Sequence, residues 1–262
     1  MTEVRVDPLT GLRAIAAEHP LLSADSPDPP PQDSPALFTA LAARGAHELI
    51  ANGPARSLAE LSVEQACAAV DGWRERMLAH DGAAYVHVGV DEPAGGGADS
   101  QAELLALHFV PAAVARERER FSAHAVRTMG ANLLEDLVQE EVRRRERIVA
   151  IDGEAVLMCP YASRHPFTLM LAPRRCRDRF QDDGPTGAAL LHQGLTLLRE
   201  RFGDGPSLSL WVRTAPRGAE RFCWRIDVVP RPAPPGALEL GTGLAQHPVA
   251  PEQAAAELRA LL

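Results

Sequence analysis

The chain contains no lysine, so all 27 residues in its Lys+Arg count are arginines. This absence excludes every mechanism that needs a lysine amine: a Schiff-base nucleophile, an anchor for pyridoxal phosphate, or the lysine of a phosphate-binding loop. Recognition of an anion is therefore left to guanidinium groups, which can bind carboxylates and phosphates through two parallel N–H donors.

Cysteine is also scarce, and none of the four cysteines forms a Cys-x-x-Cys pair. So few cysteines in a chain of 262 residues argue against a disulfide framework and favour a reduced, cytoplasmic protein. No apolar run approaches the ~18 residues of a membrane span, and the amino terminus shows no apolar signal segment. We therefore expect neither a membrane partner nor secretion.

Basic charge is in deficit, because the formal net charge is −8. Nucleic-acid binding needs a basic surface that neutralises phosphates, so this balance argues against a nucleic-acid partner. The hydrophobic fraction of 46% is sufficient for a substantial core in one large domain or two small ones.

The chain does contain a glycine-rich loop that leads into a polar strand. Glycines allow a ligand to approach the backbone closely. After the loop, a spacing of two places Asp99, Gln101 and Glu103 on one face of the strand, away from the residues between them. The loop glycines, which we treat as candidate ligand-binding residues, are Gly95, Gly96 and Gly97.

Three interpretations are open for this polar strand. Two carboxylates on one face can act as general acid and base, or they can bind a hard cation such as magnesium. The third interpretation is a solvent-facing strand without catalysis. His87, on the preceding strand, is the histidine nearest to the loop in sequence, and it is either a proton shuttle or a buried structural histidine.

We expect helices from the capping box at residue 62 to about residue 79, over the charged segment 112–129, and over 186–202 and 251–262. After Gly130, helical spacing of apolar residues predicts another helix, through Leu133, Leu134, Leu137, Val138 and Val142. Apolar runs predict strands over 83–90, 104–110, 148–150, 155–159, 167–172, 208–214 and 222–229. Ser62 and Gln65 fit a capping box, and the pairs Glu140–Arg144 and Glu141–Arg145 are expected on a solvated helix face. Blocks of a helix and antiparallel strands occur twice, which favours an α+β fold.

Short motifs occur in order along the chain. Residues 7–11 read Asp-Pro-Leu-Thr-Gly, residues 45–50 read Gly-Ala-His-Glu-Leu-Ile, and residues 239–243 read Glu-Leu-Gly-Thr-Gly. With the glycine-rich loop and its strand, they resemble the galactose-1-phosphate uridylyltransferases of the histidine-triad superfamily. In that family the strand reads His-x-His-x-Gln, and its second histidine takes up the nucleotidyl group.

The departures from this family fall on its chemistry. Asp99 and Gln101 stand at the two histidine positions, and Glu103 stands at the glutamine. The resemblance therefore implies catalytic roles for Asp99, Gln101, Glu103 and His87, but no covalent nucleotidyl-histidine, because an amide is a poor nucleophile. The family's metal-ligand positions are matched by Asn132, Glu135, Cys223 and Arg225, so we expect no metal and no cofactor.

Two arginines are candidates for holding an anionic ligand. Arg225 can bind a phosphate or carboxylate, or it can pair with Asp227 or with a carboxylate of the first half of the chain. Arg164 belongs to a cluster with Arg174 and Arg175, which can line an anion pocket, form a dimer contact or simply be solvated.

The resemblance implies an α+β fold of tandem histidine-triad-like halves that share a mostly antiparallel sheet flanked by helices. We expect the halves to span 1–118 and 119–262, with a flexible loop over 23–35, and the family's assembly implies a homodimer. The expected function is a repurposed, non-nucleotidyl-transfer enzyme for a small nucleotide-like, phosphorylated or carboxylated substrate. The alternative is an inactive pseudoenzyme that binds a ligand or a partner protein.

The residues at the metal-ligand positions generate a testable prediction. Tetrahedral zinc requires a cluster of thiolates and imidazoles, which Asn132, Glu135, Cys223 and Arg225 do not provide. Elemental analysis of the purified protein should therefore find no stoichiometric zinc. One zinc per chain that resists a chelator would contradict this prediction.

Overall fold

The computed structural model describes residues 3–10, 13–16, 46–94, 100–203, 207–231, 236–247 and 249–262. The expected loop over 23–35, the glycines Gly95–Gly97 and Asp99 lie outside these residues. Within them, eight strands form one large sheet in which every neighbouring pair is antiparallel. Three further strands form a second, smaller sheet.

The strands are β1 Glu3–Val6, β2 Arg13–Ala16, β3 Ala46–Ala51, β4 Tyr85–Glu92, β5 Gln101–Leu107, β6 Ile148–Ile151, β7 Ala155–Met158, β8 Leu169–Pro173, β9 Leu208–Arg213, β10 Arg225–Pro230 and β11 Ala245–His247. The α-helices are α1 Val63–Ala79, α2 Ala112–Arg127, α3 Leu133–Arg144, α4 Ala188–Phe202, α5 Ala237–Thr242 and α6 Pro251–Arg259. The strand order is β3-β5-β4-β9-β10-β8-β7-β6 in the large sheet and β1-β2-β11 in the small one. This arrangement confirms the predicted α+β class and the mostly antiparallel sheet.

One face of the large sheet forms the main core. Helices α1 and α4 cover it with side chains such as Trp73 and Leu195, which are almost completely buried. Alternate residues of every central strand point into this core, including Leu104 of β5 and Ile226 of β10. This alternation confirms that residues at even positions of β5 are buried, so its odd positions lie on the opposite face.

The opposite face is covered less completely. Helix α2 contacts it through Val114, which belongs to a small apolar cluster with Leu105, and through Phe121, which packs with Met170 and α3 in a second core. Between these two contacts the helix presents Glu117 instead of an apolar side chain. The centre of this face, over β9 and β10, is therefore lined by polar groups.

Several local predictions are confirmed, and one is wrong. The capping box of Ser62 and Gln65 starts α1 as predicted, and Glu140 accepts from Arg144 Nε at 2.6 Å. The second expected pair is absent because Arg145 ends α3 in the left-handed region, at φ 57°. Glu141 is buried instead and accepts from Arg147 Nε at 2.9 Å.

The late strand also begins further along the chain than predicted. The apolar run suggested a strand from residue 222, but β10 starts at Arg225. Arg221 has φ 63°, and Phe222 and Cys223 pack into the core beneath α2 and α3. The alternation of a strand therefore begins only at Trp224, and Trp224 and Ile226 enter the main core.

Close packing at α4 generates a stability prediction. A Cβ at Gly194 would lie 2.8 Å from Leu157 Cδ2 and 3.1 Å from Leu169 Cδ1, whereas a Cβ at Gly72 of α1 would meet nothing within 4 Å. Gly194→Val should cost ~1–3 kcal/mol of unfolding free energy through overpacking. The same change at Gly72 should stay within ~0.5 kcal/mol, since Val and Gly differ little in helix propensity. Equal losses in urea titrations would contradict this packing account.

Candidate functional site

A buried carboxylate on α2 organises the polar face of the sheet. Val114, Glu117 and Phe121 follow helical spacing, so all three side chains point toward the strands. Glu117 is only 1% exposed. A carboxylate at such a position needs cationic or hydrogen-bonding partners, because an unpaired buried charge is strongly unfavourable.

The partners of Glu117 are two arginines on neighbouring strands. Arg213 of β9 and Arg225 of β10 are register partners in the sheet. Glu117 Oε2 lies 3.2 Å from Arg213 Nε, and its Oε1 pairs with Arg225 Nη1. These contacts are ion pairs rather than well-aligned hydrogen bonds, and they connect α2 directly to the two central strands.

Asp227 completes this ion network from the same strand. Arg225 Nε donates to its two carboxylate oxygens at 3.0 and 3.1 Å. Burial acts to lower the pKa of Arg225, but the charges of Asp227 and Glu117 outweigh it, and the pKa lies above its ordinary value. Arg225 is therefore fully charged, and two of its donor nitrogens face carboxylates of the protein.

A cavity of about 370 Å³ lies over this network. It is bounded by the turn after β1, by α2, by β9 and β10, and by the segment that follows β7. Its lining residues are Asp7, Leu9, Thr10, Ala113, Arg116, Glu117, Pro160, Ala162, Ser163, Arg164, His165, Thr168, Met170, Ser209, Trp211, Arg213, Arg225, Asp227, Val229 and Arg231. We call this space the arginine cavity.

The predicted catalytic side chains of β5 point to the same face of the sheet as the arginine cavity. Gln101 at the start of β5 is exposed, and the side chain of Glu103 is 44% exposed. Glu103 pairs in register with Gly89 of β4, and Gly89 pairs in turn with Trp211 of β9. Glu103 and the wall of the arginine cavity are thus two strand spacings apart, about 10 Å between Cα positions.

Two histidines accompany Glu103 on this face. His47 of β3 has its Nε2 3.9 Å from Glu103 Oε1. His87 of β4 lies beside Gly89, where an added Cβ would be 3.2 Å from its Nε2. Burial, reinforced by the charge of Arg213 and opposed by Asp91, lowers the pKa of His87 to about 4. His87 is therefore neutral near pH 7.

The two ends of the glycine-rich loop are joined beneath the sheet. Glu92, before the loop, accepts from Leu58 N at 2.7 Å, and Ser100, after the loop, donates to Glu92 Oε1 at 3.3 Å. Asn52 Nδ2 donates to Ser100 Oγ at 2.9 Å. Burial raises the pKa of Glu92, although these hydrogen bonds act in the opposite direction. The strand entry at Gln101 is thus firmly positioned.

The structure separates the predicted site residues into two groups. Arg225 and Arg164 line the arginine cavity, whereas Gln101, Glu103 and His87 lie on the same sheet face outside its lining. Gly95–Gly97 and Asp99 lie outside the described residues. For Arg225, the open alternative of pairing with Asp227 and with a carboxylate of the first half is the one observed.

The positions compared with metal ligands have other roles. Asn132 starts α3, because its Oδ1 accepts from Leu134 N at 3.0 Å. Cys223 is completely buried in the second core. In the part of the chain that the structure describes, no three or more His, Cys, Asp or Glu side chains are grouped so as to hold a metal ion.

Sequence reasoning did not identify Glu117, Arg213, Trp211 or the pairing of His47 with Glu103. For Glu117 a signal was present: a carboxylate interrupts the apolar stripe of α2 between Val114 and Phe121. The other contacts join residues that are far apart in sequence.

Among the described residues, none of the α-helices combines the length and the apolar character of a membrane span.

The environment of His87 predicts a dependence of stability on pH. Its pKa of about 4 lies below the 6.5 of an unperturbed histidine, so the unfolded chain binds more protons between these values. Neutral His87 therefore contributes to the free energy of unfolding above about pH 6.5. This contribution, at most ~3 kcal/mol, is lost as the pH falls toward about 4.

His87→Asn should therefore lose less stability than the wild type when the pH is lowered from about 7 to about 4.5. His108, which is exposed, provides the matched control, because His108→Asn should follow the wild type. Parallel urea titrations at the two pH values measure the difference. Identical pH dependence of the wild type and His87→Asn would contradict the burial of a neutral imidazole.

Known proteins resemble this chain over nearly all of its length. No family model matches the chain. A galactose-1-phosphate uridylyltransferase of Rattus norvegicus is 27% identical over 277 residues, covering 97% of this chain and 72% of the relative. An ADP-glucose phosphorylase of Arabidopsis thaliana is 22% identical, covering 97% of this chain and 75% of the relative.

Solved structures give the same result for the fold. A GalT-like protein of Arabidopsis thaliana matches with a TM-score of 0.78 and 21% identity, covering 99% of this chain and 98% of the other. An Arabidopsis thaliana ADP-glucose phosphorylase with bound ADP-glucose matches with a TM-score of 0.78 and 20% identity, covering 99% of each chain. The curated relatives and the solved structures thus place the chain with the galactose-1-phosphate uridylyltransferase and GalT-like proteins.

Proposed function

We propose that this chain is a nucleotide-sugar-related enzyme that acts on a small anionic substrate without forming a covalent nucleotidyl-histidine. The names of its relatives, a uridylyltransferase and an ADP-glucose phosphorylase, supply the substrate class. The proposal that no nucleotidyl-histidine forms rests on the presence of Gln101. It lies at the exposed start of β5, where the family's nucleophile is expected from the sequence resemblance.

Acid–base chemistry is the alternative to a histidine nucleophile on this face. Glu103 and His47 are 3.9 Å apart and both partly accessible, so a proton can pass between them and a bound substrate. His87 is neutral near pH 7 and can accept a hydrogen bond or a proton there. Asp99 and the glycines Gly95–Gly97 remain part of the proposed site.

One observation favours the second candidate function, a ligand-binding pseudoenzyme. Gln101 is exposed, and the Glu103 side chain is 44% exposed and lies outside the lining of the arginine cavity. A catalytic carboxylate normally works in a desolvated environment that raises its pKa. Turnover experiments distinguish the two candidates.

The proposal extends to the organisation of the chain. We propose two tandem halves, 1–118 and 119–262, that meet in the large sheet where β4 pairs with β9. Homodimeric assembly, a cytoplasmic location and independence of metals are further parts of this proposal. These three parts rest on the sequence alone.

A test of mechanism combines mass and rate measurements. After incubation with UDP-glucose or ADP-glucose, the intact mass of the protein should be unchanged, because no nucleotidyl-histidine forms. In turnover of either nucleotide sugar, Glu103→Gln should reduce the rate by ~10²-fold, as for the loss of an acid–base group. Glu75→Gln, on the exposed side of α1, should keep the wild-type rate.

Each contrary result has a distinct meaning. A stable nucleotidyl adduct would show that another residue acts as the nucleophile and would overturn the proposed mechanism. Full activity of Glu103→Gln would show that Glu103 on β5 is not the catalytic acid or base. No turnover of any nucleotide sugar by the wild type, together with measurable binding, would establish the pseudoenzyme instead.

A further inference from the structure

The arginine cavity carries more positive than negative charge. Five arginines and three carboxylates line it. Two of these carboxylates, Glu117 and Asp227, are paired with Arg213 and Arg225. The third, Asp7, accepts hydrogen bonds from the turn that follows it, including Leu9 N at 2.9 Å. The charge of the remaining arginines is thus not compensated by the carboxylates of this lining.

Arg164 is the clearest uncompensated cation in the lining. Its Nη2 donates to the carbonyl oxygen of Gly243 at 3.3 Å, which helps to hold the side chain in place. Its Nε is buried and has no hydrogen-bond partner among the described residues. Such a donor is costly unless an acceptor satisfies it, so it requires an explanation.

Apart from the Arg213 and Arg225 nitrogens, which form ion pairs with Glu117, two further donors of the lining are in the same situation. Trp211 Nε1 and Arg231 Nε are also buried without a hydrogen-bond partner in the described part of the chain. Arg231 is held by an ion pair of its Nη2 with Asp91 at 3.1 Å. Three N–H groups from three different segments therefore lack acceptors around one cavity, a pattern that fits an anion rather than a random packing defect.

The remaining walls of the cavity are apolar. They are formed by Leu9, Ala113, Pro160, Ala162, Met170, Trp211 and Val229. Its volume of about 370 Å³ is near the lower end of the range for small-molecule sites, ~300–1,000 Å³. The space suits one ring or a short chain that carries an acidic group, rather than a whole nucleotide sugar.

We propose that the arginine cavity is a separate binding site for a small organic anion with an apolar body. Its carboxylate or phosphate is held by Arg164, Trp211 Nε1 and Arg231, and its body lies between Met170 and Val229. Arg225 does not hold the anion; it positions α2 through Glu117. This site goes beyond the proposed function, because Gly89 of β4 lies between Trp211 and Glu103, so the anion is bound two strands away from β5.

Binding is tested by isothermal titration calorimetry on the full-length protein with four probes. Phenyl phosphate and benzoate carry both an anionic group and an apolar body, and each tests one kind of acid. Inorganic phosphate lacks the body, and phenol lacks a strong acid. At least one of the first two should bind about tenfold or more tightly than either inorganic phosphate or phenol.

Variants assign the binding to this cavity. Arg164→Gln should weaken the favoured probe by about tenfold or more, whereas Arg174→Gln, an exposed arginine outside the cavity, should change its affinity by less than about twofold. Trp73 and Trp224 are fully buried, so a change of tryptophan fluorescence on binding should come from Trp211. Trp211→Phe, which keeps an aromatic ring, should abolish that change while weak binding remains measurable.

Four results would overturn the proposal. The first two concern the wild type: it binds neither phenyl phosphate nor benzoate, or it binds inorganic phosphate or phenol as tightly as it binds these probes. The other two are that Arg164→Gln and Arg174→Gln weaken the binding of the probe equally, and that ADP-glucose displaces the probe competitively. The last result would merge the cavity with the proposed nucleotide-sugar site. Circular dichroism of each variant shows whether a loss of binding comes from unfolding. If Arg164→Gln is unfolded, the fluorescence of Trp211→Phe decides.

Discussion

The pairing of Glu117 with Arg225 is the interaction on which the polar half of this structure depends. Glu117 is the charged residue in the buried stripe of α2, and Arg225 is 3% exposed at the start of β10. Neither charge is tolerable alone at such burial, since removal of one partner of a buried pair typically costs ~3–5 kcal/mol. The helix must therefore cross the sheet where Arg225 and Arg213 can reach Glu117.

This constraint explains why a cavity exists at the centre of the sheet face. The two apolar contacts of α2, at Val114 and Phe121, lie on either side of Glu117. The ion network keeps the helix above β9 and β10, while the turn after β1 and the segment around Arg164 close the space from the other side. The arginines thus divide into two kinds: Arg213 and Arg225 are paired with carboxylates of the protein, whereas Arg164 Nε is buried without a hydrogen-bond partner among the described residues.

The same face also holds the side chains of Gln101 and Glu103 on β5. Gln101 and Glu103 are separated from the cavity by Gly89, which contributes no side chain. His87 fills part of that gap and is neutral near pH 7. Two neighbouring regions of different character result: a partly exposed carboxylate–histidine patch on β3 and β5, and a cationic cavity with apolar walls over β9 and β10.

The sequence predicted what depends on local periodicity and left open what depends on distant contacts. Period-two alternation placed Gln101 and Glu103 correctly on one face of β5, and the capping box of Ser62 placed the start of α1. The start of β10 was predicted three residues too early. Phe222 is apolar because it packs under α2, and not because it belongs to the strand. The partners of Arg225 remained open, because the choice between a ligand and Glu117 depends on the path of a helix more than a hundred residues earlier.

A double-mutant cycle on Glu117 and Arg225 tests the central claim most directly. The variants are Glu117→Gln, Arg225→Met and the double substitution, with unfolding free energies from urea titrations. The account predicts that each single variant is destabilised by ~3 kcal/mol or more, and that the coupling energy is at least ~1.5 kcal/mol, because the double variant leaves less buried charge unpaired. A coupling energy below ~0.5 kcal/mol would show that the two residues act independently and would contradict the role assigned to this pair.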